Sequence, residues 1–456
     1  GLYGIWQTTR IIVGYASFIN LGMPFYVQRE YPAFIKEAKI DEANNIAHQV
    51  ISFSFISFPV IALILIGVGL YFPNDFEFSK SMVAIAIWFV LTIPAGIGTI
   101  INKATNDYKT VGIGESLFGI GSILLVPFMY YYGFNALLVG FLATTVAQSW
   151  YYYKHRPVKY KWYWNTGLLK GMIFTAFPIF LVNIASSVFA SADRIIIASM
   201  LDFRDVGLYS LSAFISIPIS MVVTSFSMVL FTQLNERFGR SVEHHVIEKH
   251  VFIPQKIFSN FLPPIIGMGL IAMPLLTQLF LPKYQEGIQA AQINIFAIFF
   301  YMLASFSANA LFVLNKQKLS ALSFFVAGII KVAGSILAIS FGYGISGVAF
   351  FSVLGYFIYD SLMLYFVTRS LGYNLYSFVK QLLIKLWCPT VILASSILYV
   401  SFYKEVYGYF GIQNVWIQLL LGELFIIIIG FYFFLKAYKI INSFIRGKNK
   451  SLNITT

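Results

Sequence analysis

Long apolar runs separated by short polar loops cover almost the whole chain. Each run is roughly 20 to 30 residues long, enough for a helix to cross the ~30 Å hydrocarbon core of a bilayer. Backbone N–H and C=O groups find no water in lipid, so a helix is the state that satisfies runs of this length. The pattern predicts an all-α, polytopic membrane bundle of about thirteen transmembrane helices. The runs are 3–27, 47–72, 81–102, 111–131, 135–153, 167–200, 206–232, 252–281, 288–314, 319–341, 345–368, 381–402 and 413–435.

The composition supports lipid as the solvent of this fold. The chain is 59% hydrophobic and 11% charged, whereas soluble domains carry about 25% charged residues. The net charge of +13 comes from Lys and Arg in the short loops. Because these charges form no single basic face, we expect no nucleic-acid partner. The single cysteine, Cys388, excludes an internal disulfide.

The distribution of Lys and Arg across the loops predicts the orientation. Successive loops lie on alternate sides. With residues near the run ends, such as Lys385, counted with the adjacent loop, 24 of the 31 Lys and Arg residues fall on one side and 4 on the other, and 3 lie deeper inside the runs. The side rich in Lys and Arg is expected to be cytoplasmic. Residue 1 is therefore predicted outside and the C-terminus in the cytoplasm.

An internal repeat divides the chain. Asn102-Lys103 recurs as Asn315-Lys316, and Gly121–Leu124 recurs as Gly334–Leu337, both at an offset of 213 residues. This predicts two pseudo-symmetric six-helix lobes followed by two further helices. Run 167–200 has no counterpart in the first half, so we expect the first helix of the N-terminal lobe to be missing. The expected parts are an N-terminal lobe at 1–153, a cytoplasmic linker at 154–166, a C-terminal lobe at 167–369, and two extra helices with a basic tail at 370–456.

Ionisable residues inside the apolar runs carry the informative chemistry, because a charge in lipid is costly and usually faces a cavity or a partner. The candidates for a substrate-binding cavity are Arg10, Asp193, Arg194, Lys331 and Asp360. Adjacent helical residues point about 100° apart, so one of Asp193 and Arg194 is expected to face the cavity and the other a neighbouring helix. Lys331 and Asp360 lie on successive antiparallel runs, where a structural ion pair and a substrate site remain alternatives.

Two further expectations concern charges near the membrane surfaces. Glu115 lies near an inner helix end and is expected to reach the interface. Arg10 and Arg194 could instead extend outward to the headgroups.

The sequence argues against nucleotide, metal and enzyme chemistry. No Gly-x-x-x-x-Gly-Lys-Ser/Thr loop occurs, so hydrolysis of ATP by that route is excluded. His244, His245 and His250 cluster in a predicted cytoplasmic loop, where solvation is the default. The outer loops are short, the longest at about 403–412, which leaves no room for an extracytoplasmic catalytic domain. We therefore expect a transporter without cofactor or metal.

Short motifs in both halves carry a family resemblance. They are Gly1-Leu2-Tyr3-Gly4-Ile5-Trp6, Leu21-Gly22 followed by Arg29-Glu30, Ser191-Ala192-Asp193-Arg194-Ile195-Ile196-Ile197, Val206-Gly207-Leu208-Tyr209, and Pro218. Over nearly its whole length the chain resembles the Wzx-like polysaccharide flippases, in the superfamily that also includes MATE multidrug exporters and the lipid II flippase MurJ.

The resemblance implies two lobes, a central cavity and alternating access. It implies a flippase of undecaprenyl-pyrophosphate-linked oligosaccharide, working as a monomer in the bacterial cytoplasmic (inner) membrane for surface polysaccharides such as the O-antigen of lipopolysaccharide. Arg10, Arg194 and Lys331 would then hold the pyrophosphate and acidic sugars. A polysaccharide polymerase and other assembly proteins are the expected partners. The alternatives are a cation-coupled MATE-type drug exporter, which would use acids such as Asp360 and Glu423, and a membrane enzyme of glycan assembly.

Overall fold

The computed structural model describes residues 2–71, 76–105, 107–221, 223–224, 227, 244–314, 316–409 and 415–452. All regular structure in these ranges is helical, which confirms the all-α class. Residues 213–221 are helical as well. The helices are α1 Leu2–Ala16, α2 Met23–Lys36, α3 Ile40–Tyr71, α4 Phe76–Leu91, α5 Ile93–Ala104, α6 Tyr108–Leu124, α7 Val126–Lys154, α8 Thr166–Met200, α9 Phe203–Tyr209, α10 His244–Phe280, α11 Ile288–Val313, α12 Gln317–Ser340, α13 Gly344–Ser370, α14 Leu375–Tyr409 and α15 Val415–Leu452.

Among the described residues, fewer helices have the length and composition of a membrane span than the thirteen predicted. In the described ranges 9 helices are long and apolar enough to cross a membrane, or up to 11 if α1 with α2 and α4 with α5 each form one bent span. The chain is therefore a polytopic membrane protein, but the count of thirteen is not confirmed. Two of the predicted runs account for the difference. Helix α6, which overlaps run 111–131, has only 17 residues, and the end of run 206–232, from 228 onward, lies outside the described residues.

Each of the two bent spans has a glycine or a proline at its bend, where these residues lower the conformational energy of an interrupted helix. Between α1 and α2 the chain turns by 59° through Gly22, whose φ of 80° suits glycine. Pro24 then occupies the first turn of α2. Pro94 does the same in α5, after a bend of 47°. Proline fits a first helical turn because that position needs no backbone N–H donor.

Helix α7 contains a third break. Gly133 has φ 56° and ψ −132°, which is not helical. A side chain there would be strained, since this backbone conformation is open almost only to glycine. Gly133 lies between the predicted runs 111–131 and 135–153. The boundary predicted between these two runs therefore coincides with the non-helical residue inside α7.

The chain divides into two compact units, unit 1 at Gly1–Ser187 and unit 2 at Val188–Thr456. The boundary lies inside α8. The helices of the two units recur at the offset seen in the sequence, since a shift of 213 residues carries α6 onto 321–337, inside α12. The four-part division made from the sequence remains a prediction.

Unit 1 is packed around a large buried tyrosine. Tyr152 of α7 is fully buried, and its hydroxyl donates to the Val111 carbonyl oxygen at 3.2 Å. The ring fits because Gly98 and Gly114 have no side chains. A Cβ at either position would lie 2.6 Å or 2.5 Å from its atoms. Glycine thus lets α5 and α6 approach α7 closely, as is common between membrane helices.

An apolar cluster in unit 2 lies between α10 and α11. Buried Leu262 and Ile266 pack there with Phe299, Met302 and Phe306. Such interdigitated packing, rather than a hydrophobic drive, holds helices together in lipid. Helix α13 packs against both α11 and α12, and α12 and α13 carry charged residues described next.

Candidate functional site

Unit 2 contains a hydroxyl-rich cavity of ≈ 280 Å³ between α8, α9, α11 and α13. Two of the sequence candidates, Asp193 and Arg194, line it. We call it the Arg194 cavity. Its other polar lining groups are Tyr209, Ser210, Ser212, Ser216, Ser220, Asn294, Tyr301 and Tyr356. The four serine hydroxyls donate to backbone carbonyl oxygens, and a serine hydroxyl can rotate from such a bond to donate to an anionic or hydroxylated ligand.

Asp193 is buried and fully engaged. One carboxylate oxygen, Oδ2, accepts a hydrogen bond from the Tyr209 hydroxyl at 2.7 Å and from the Ser352 hydroxyl at 3.2 Å. The other, Oδ1, accepts from the Arg194 backbone N–H at 2.9 Å. The Lys331 ammonium lies 3.4 Å from Oδ2. A buried carboxylate needs this degree of pairing, since an isolated one would be very costly.

Lys331 is the counter-ion of Asp193 and not a cavity residue. Its side chain is 0% exposed, and its Nζ donates to the Phe189 carbonyl oxygen at 2.8 Å. The ammonium also lies 5.0 Å and 4.9 Å from the ring centres of Phe189 and Tyr356, which favours a cation. Lys331 was a cavity candidate from the sequence, but it is not among the lining residues that the structure describes.

Arg194 remains available to a ligand. It is half-buried and lines the cavity, and its guanidinium makes one long contact, 3.4 Å, to the Ala190 carbonyl oxygen. Both Asp193 and Arg194 line the cavity, although only one was expected to. Because Lys331 neutralises Asp193, the charge of Arg194 is uncompensated within this group of three. The cavity therefore favours an anion.

Asp360 forms a second buried ion pair. The Lys385 ammonium donates to both of its carboxylate oxygens, at 2.9 Å and 2.8 Å, and both residues are buried. The possible pair between Lys331 and Asp360 is not formed. Lys385 had been counted with the cytoplasmic loop charges, but it lies inside α14. Asp360 is absent from the described lining of the Arg194 cavity.

Unit 1 contains a cavity of ≈ 540 Å³, which we call the Arg10 cavity. It is enclosed by α1, α4, α5, α6 and α7. Arg10 and Glu115 both line it. Glu115 is exposed, and its carboxylate is within 3.5 Å of the Tyr152 hydroxyl. That it reaches the inner interface stays a prediction. Arg10 forms no hydrogen bond or ion pair with the part of the chain that the structure describes.

The part of the chain that the structure describes contains no cluster of potential metal ligands. No set of three or more His, Cys, Asp or Glu side chains comes together in that part of the chain. The side chains of His244, His245 and His250 lie outside the described ones.

Sequence reasoning missed several polar partners. Tyr209 appeared only within a motif, although it ends a short helix that brings its hydroxyl to Asp193. Lys385 was missed because Ser377, Lys380 and Gln381 precede it within ten positions, which placed it near a loop. Gln148 and Trp88, in the wall of the Arg10 cavity, carry no charge and gave no signal.

Comparisons with known proteins agree with this architecture. A family-wide sequence profile described as "Polysaccharide biosynthesis protein" matches residues 35–289, more than half of the chain. A search of curated proteins finds no significant match.

Several solved structures share the fold. An inward-facing multidrug resistance MATE family transporter of the MOP superfamily has a TM-score of 0.65 at 14% identity, over 83% of this chain and 94% of that one. The lipid II flippase MurJ in an inward closed conformation has a TM-score of 0.63 at 16% identity, over 95% and 96%. A MOP superfamily transporter from Pyrococcus furiosus has a TM-score of 0.54 at 14% identity, over 81% and 87%. At these identities the likeness concerns the fold alone.

Proposed function

We propose that this chain, which belongs to the family of polysaccharide biosynthesis proteins, is a flippase for lipid-linked sugars. It moves undecaprenyl-pyrophosphate-linked oligosaccharide units from the cytoplasmic to the outer leaflet by alternating access. The work is physical rather than chemical. A charged, hydrated path lowers the cost of taking a polar head group through hydrocarbon.

The observation that carries the proposal is the uncompensated charge of Arg194. Its guanidinium borders a cavity rich in hydroxyl groups, and Lys331 removes the opposing charge of Asp193. A pyrophosphate matches this environment, because a guanidinium donates paired hydrogen bonds to phosphate oxygens. The hydroxyl groups of Ser216 and Ser220, which donate to carbonyl oxygens of their own helix, can rotate to donate to the remaining oxygens.

A cation-coupled drug exporter fits the charges less well. A site for organic cations needs a carboxylate without a counter-ion, and Asp193 and Asp360 are both paired with lysine. Glu423 of α15 has no ion pair with the described residues, but it is absent from the described lining of both the Arg194 cavity and the Arg10 cavity. Glu115 in unit 1 shares its cavity with Arg10. We therefore place the MATE-type exporter second, and a drug-resistance assay in cells that lack their own exporters separates the two.

The cellular test uses two substitutions and one control. Arg10→Ala and Arg194→Ala should each abolish surface polysaccharide while the protein level in the membrane is maintained. The matched control is Arg204→Ala, because Arg204 is exposed and pairs with an exposed glutamate, Glu286. Surface polysaccharide is measured by glycan immunoblotting. Unchanged polysaccharide in both cavity variants would refute the assignment of the site.

The cellular setting follows from the same proposal. The protein resides in the bacterial cytoplasmic membrane with its C-terminus in the cytoplasm. A polysaccharide polymerase would receive the units on the outer side. Labelling of single introduced cysteines with a membrane-impermeant reagent tests the orientation, after Cys388 is replaced by Ser.

A further inference from the structure

The Arg10 cavity differs in chemistry from the Arg194 cavity. It contains one basic and one acidic side chain, Arg10 and Glu115, so its formal charge is balanced. A pyrophosphate gains less from such a site, because Glu115 repels the anion that Arg10 attracts. The Arg10 cavity therefore suits a different part of the substrate.

An aromatic platform forms one wall of this cavity. Trp88 of α4 stacks on Phe141 at 5.6 Å with 24° between the rings. Trp6 meets Phe141 edge-on at 5.1 Å, and Phe118 does so at 5.8 Å. The three contacts fix the orientation of the rings. Trp88 is only half-buried and lines the cavity, so part of its indole surface is open to a ligand.

Polar groups without partners stand beside this platform. Gln148 is 8% exposed and lines the cavity, yet it forms no hydrogen bond with the described residues. Arg10 is likewise unpaired there. The amide of Gln148 is therefore open to the cavity, and its oxygen and NH₂ group can both form hydrogen bonds with hydroxyl groups of a ligand.

We propose that the Arg10 cavity is a saccharide subsite, an inference that rests on the proposed function. One sugar ring of the lipid-linked glycan lies with its C–H face against Trp88, because the aromatic face is electronegative and C–H groups are weakly positive. Its hydroxyl groups bond to Gln148 and Glu115, and Arg10 binds a hydroxyl or an acidic substituent. The volume of ≈ 540 Å³ lies within the range of about 300–1,000 Å³ that small-molecule sites occupy.

The test compares two lipids that differ only in the glycan. The purified full chain in lipid nanodiscs is titrated with undecaprenyl pyrophosphate and with undecaprenyl-pyrophosphate-linked oligosaccharide extracted from the producing cells. The wild-type chain should prefer the glycan-bearing lipid. Trp88→Ala should remove that preference, lowering the affinity for the glycan-bearing lipid about tenfold, the scale of one good stacking contact.

A second cavity variant and a control variant complete the experiment. Gln148→Leu should also weaken the binding of the glycan-bearing lipid, about threefold, so the conclusion does not depend on one substitution. Trp150→Ala is the control, because Trp150 lies on α7, is 63% exposed and is absent from the described lining of the cavity. A thiol-reactive dye that detects exposure of Cys388, which is buried in the fold, checks that each variant is folded.

The outcomes are distinguishable. If folded Trp88→Ala and Gln148→Leu both keep the preference for the glycan, the subsite is refuted while the flippase function stands. If the wild-type chain binds neither lipid, both proposals fail. If it instead binds tetraphenylphosphonium saturably and Trp88→Ala abolishes that binding, the cavity is a site for organic cations and the subsite is overturned.

Discussion

Replacement of Lys331 by methionine tests the role of the buried ion pair in unit 2. Methionine keeps most of the volume of lysine but removes the charge. The Asp193 carboxylate would then remain buried with hydrogen bonds from Tyr209 and Ser352 but without its counter-ion. We expect Lys331→Met to destabilise the protein, and the double variant Lys331→Met/Asp193→Asn to recover most of the loss.

The size of the effect follows from the distance between the charges. At 3.4 Å and an effective dielectric constant of about 20, two unit charges attract by about 5 kcal/mol. Removal of one partner of a buried pair typically costs about 3–5 kcal/mol. Because three hydrogen bonds to Asp193 persist, we expect a loss near the lower value, about 3 kcal/mol. Removal of both charges leaves no buried ion and should be close to neutral.

The single cysteine provides the assay. Cys388 is buried, so a maleimide dye that fluoresces on reaction reports unfolding in detergent as the temperature rises. The matched control is Lys318→Met, since Lys318 is an exposed lysine on the same helix, α12. Lys331→Met should lower the unfolding midpoint by several degrees and Lys318→Met should not. An unchanged midpoint for Lys331→Met, or a double variant no more stable than the single one, would refute the reasoning.

Two other predictions use the same assay. Asp360→Asn should lower the unfolding midpoint about as much as Lys331→Met, because it leaves the buried Lys385 ammonium without its counter-ion. The double variant Asp360→Asn/Lys385→Met should restore the midpoint. Equal midpoints for the wild type and Asp360→Asn would contradict the pairing. Gly355→Ala should cost about 1–3 kcal/mol, because its Cβ would lie 2.9 Å from the Lys331 Cβ and force α12 and α13 apart. Gly112→Ala, with no heavy atom within 4 Å of the added Cβ, should be neutral, and an equal loss there would argue against overpacking.

The helical class could be predicted because a long apolar segment in lipid must satisfy its backbone hydrogen bonds internally, which a helix does. Runs such as 319–341 and 345–368 match α12 and α13 closely, since each must cover the membrane with every backbone group paired. The bent spans could not be placed from run lengths alone. The turn at Gly22 depends on a backbone conformation, and Phe180 and Ala176 pack directly against it.

The candidate site was predicted in its residue types but not in its pairings. Depth in the membrane identified Asp193, Arg194 and Lys331 as informative, and the structure brings all three close together. The partners of Lys331 and Asp360 were not predictable, because sequence separation says little about which helices are neighbours. Lys331 is 138 positions from Asp193, and the pair forms only because α8 and α12 both pack beside α13.

Transport measured with purified protein tests the central claim most directly. The full chain is reconstituted into liposomes that carry undecaprenyl-pyrophosphate-linked oligosaccharide in one leaflet, and a soluble lectin reports its arrival in the other. The wild-type chain and Arg204→Gln should translocate the glycan lipid, whereas Arg194→Gln should slow the initial rate at least about tenfold, as expected when a charged hydrogen-bonding partner is lost. Equal rates for Arg194→Gln and the wild type, or no translocation by the wild type above protein-free liposomes, would contradict the account.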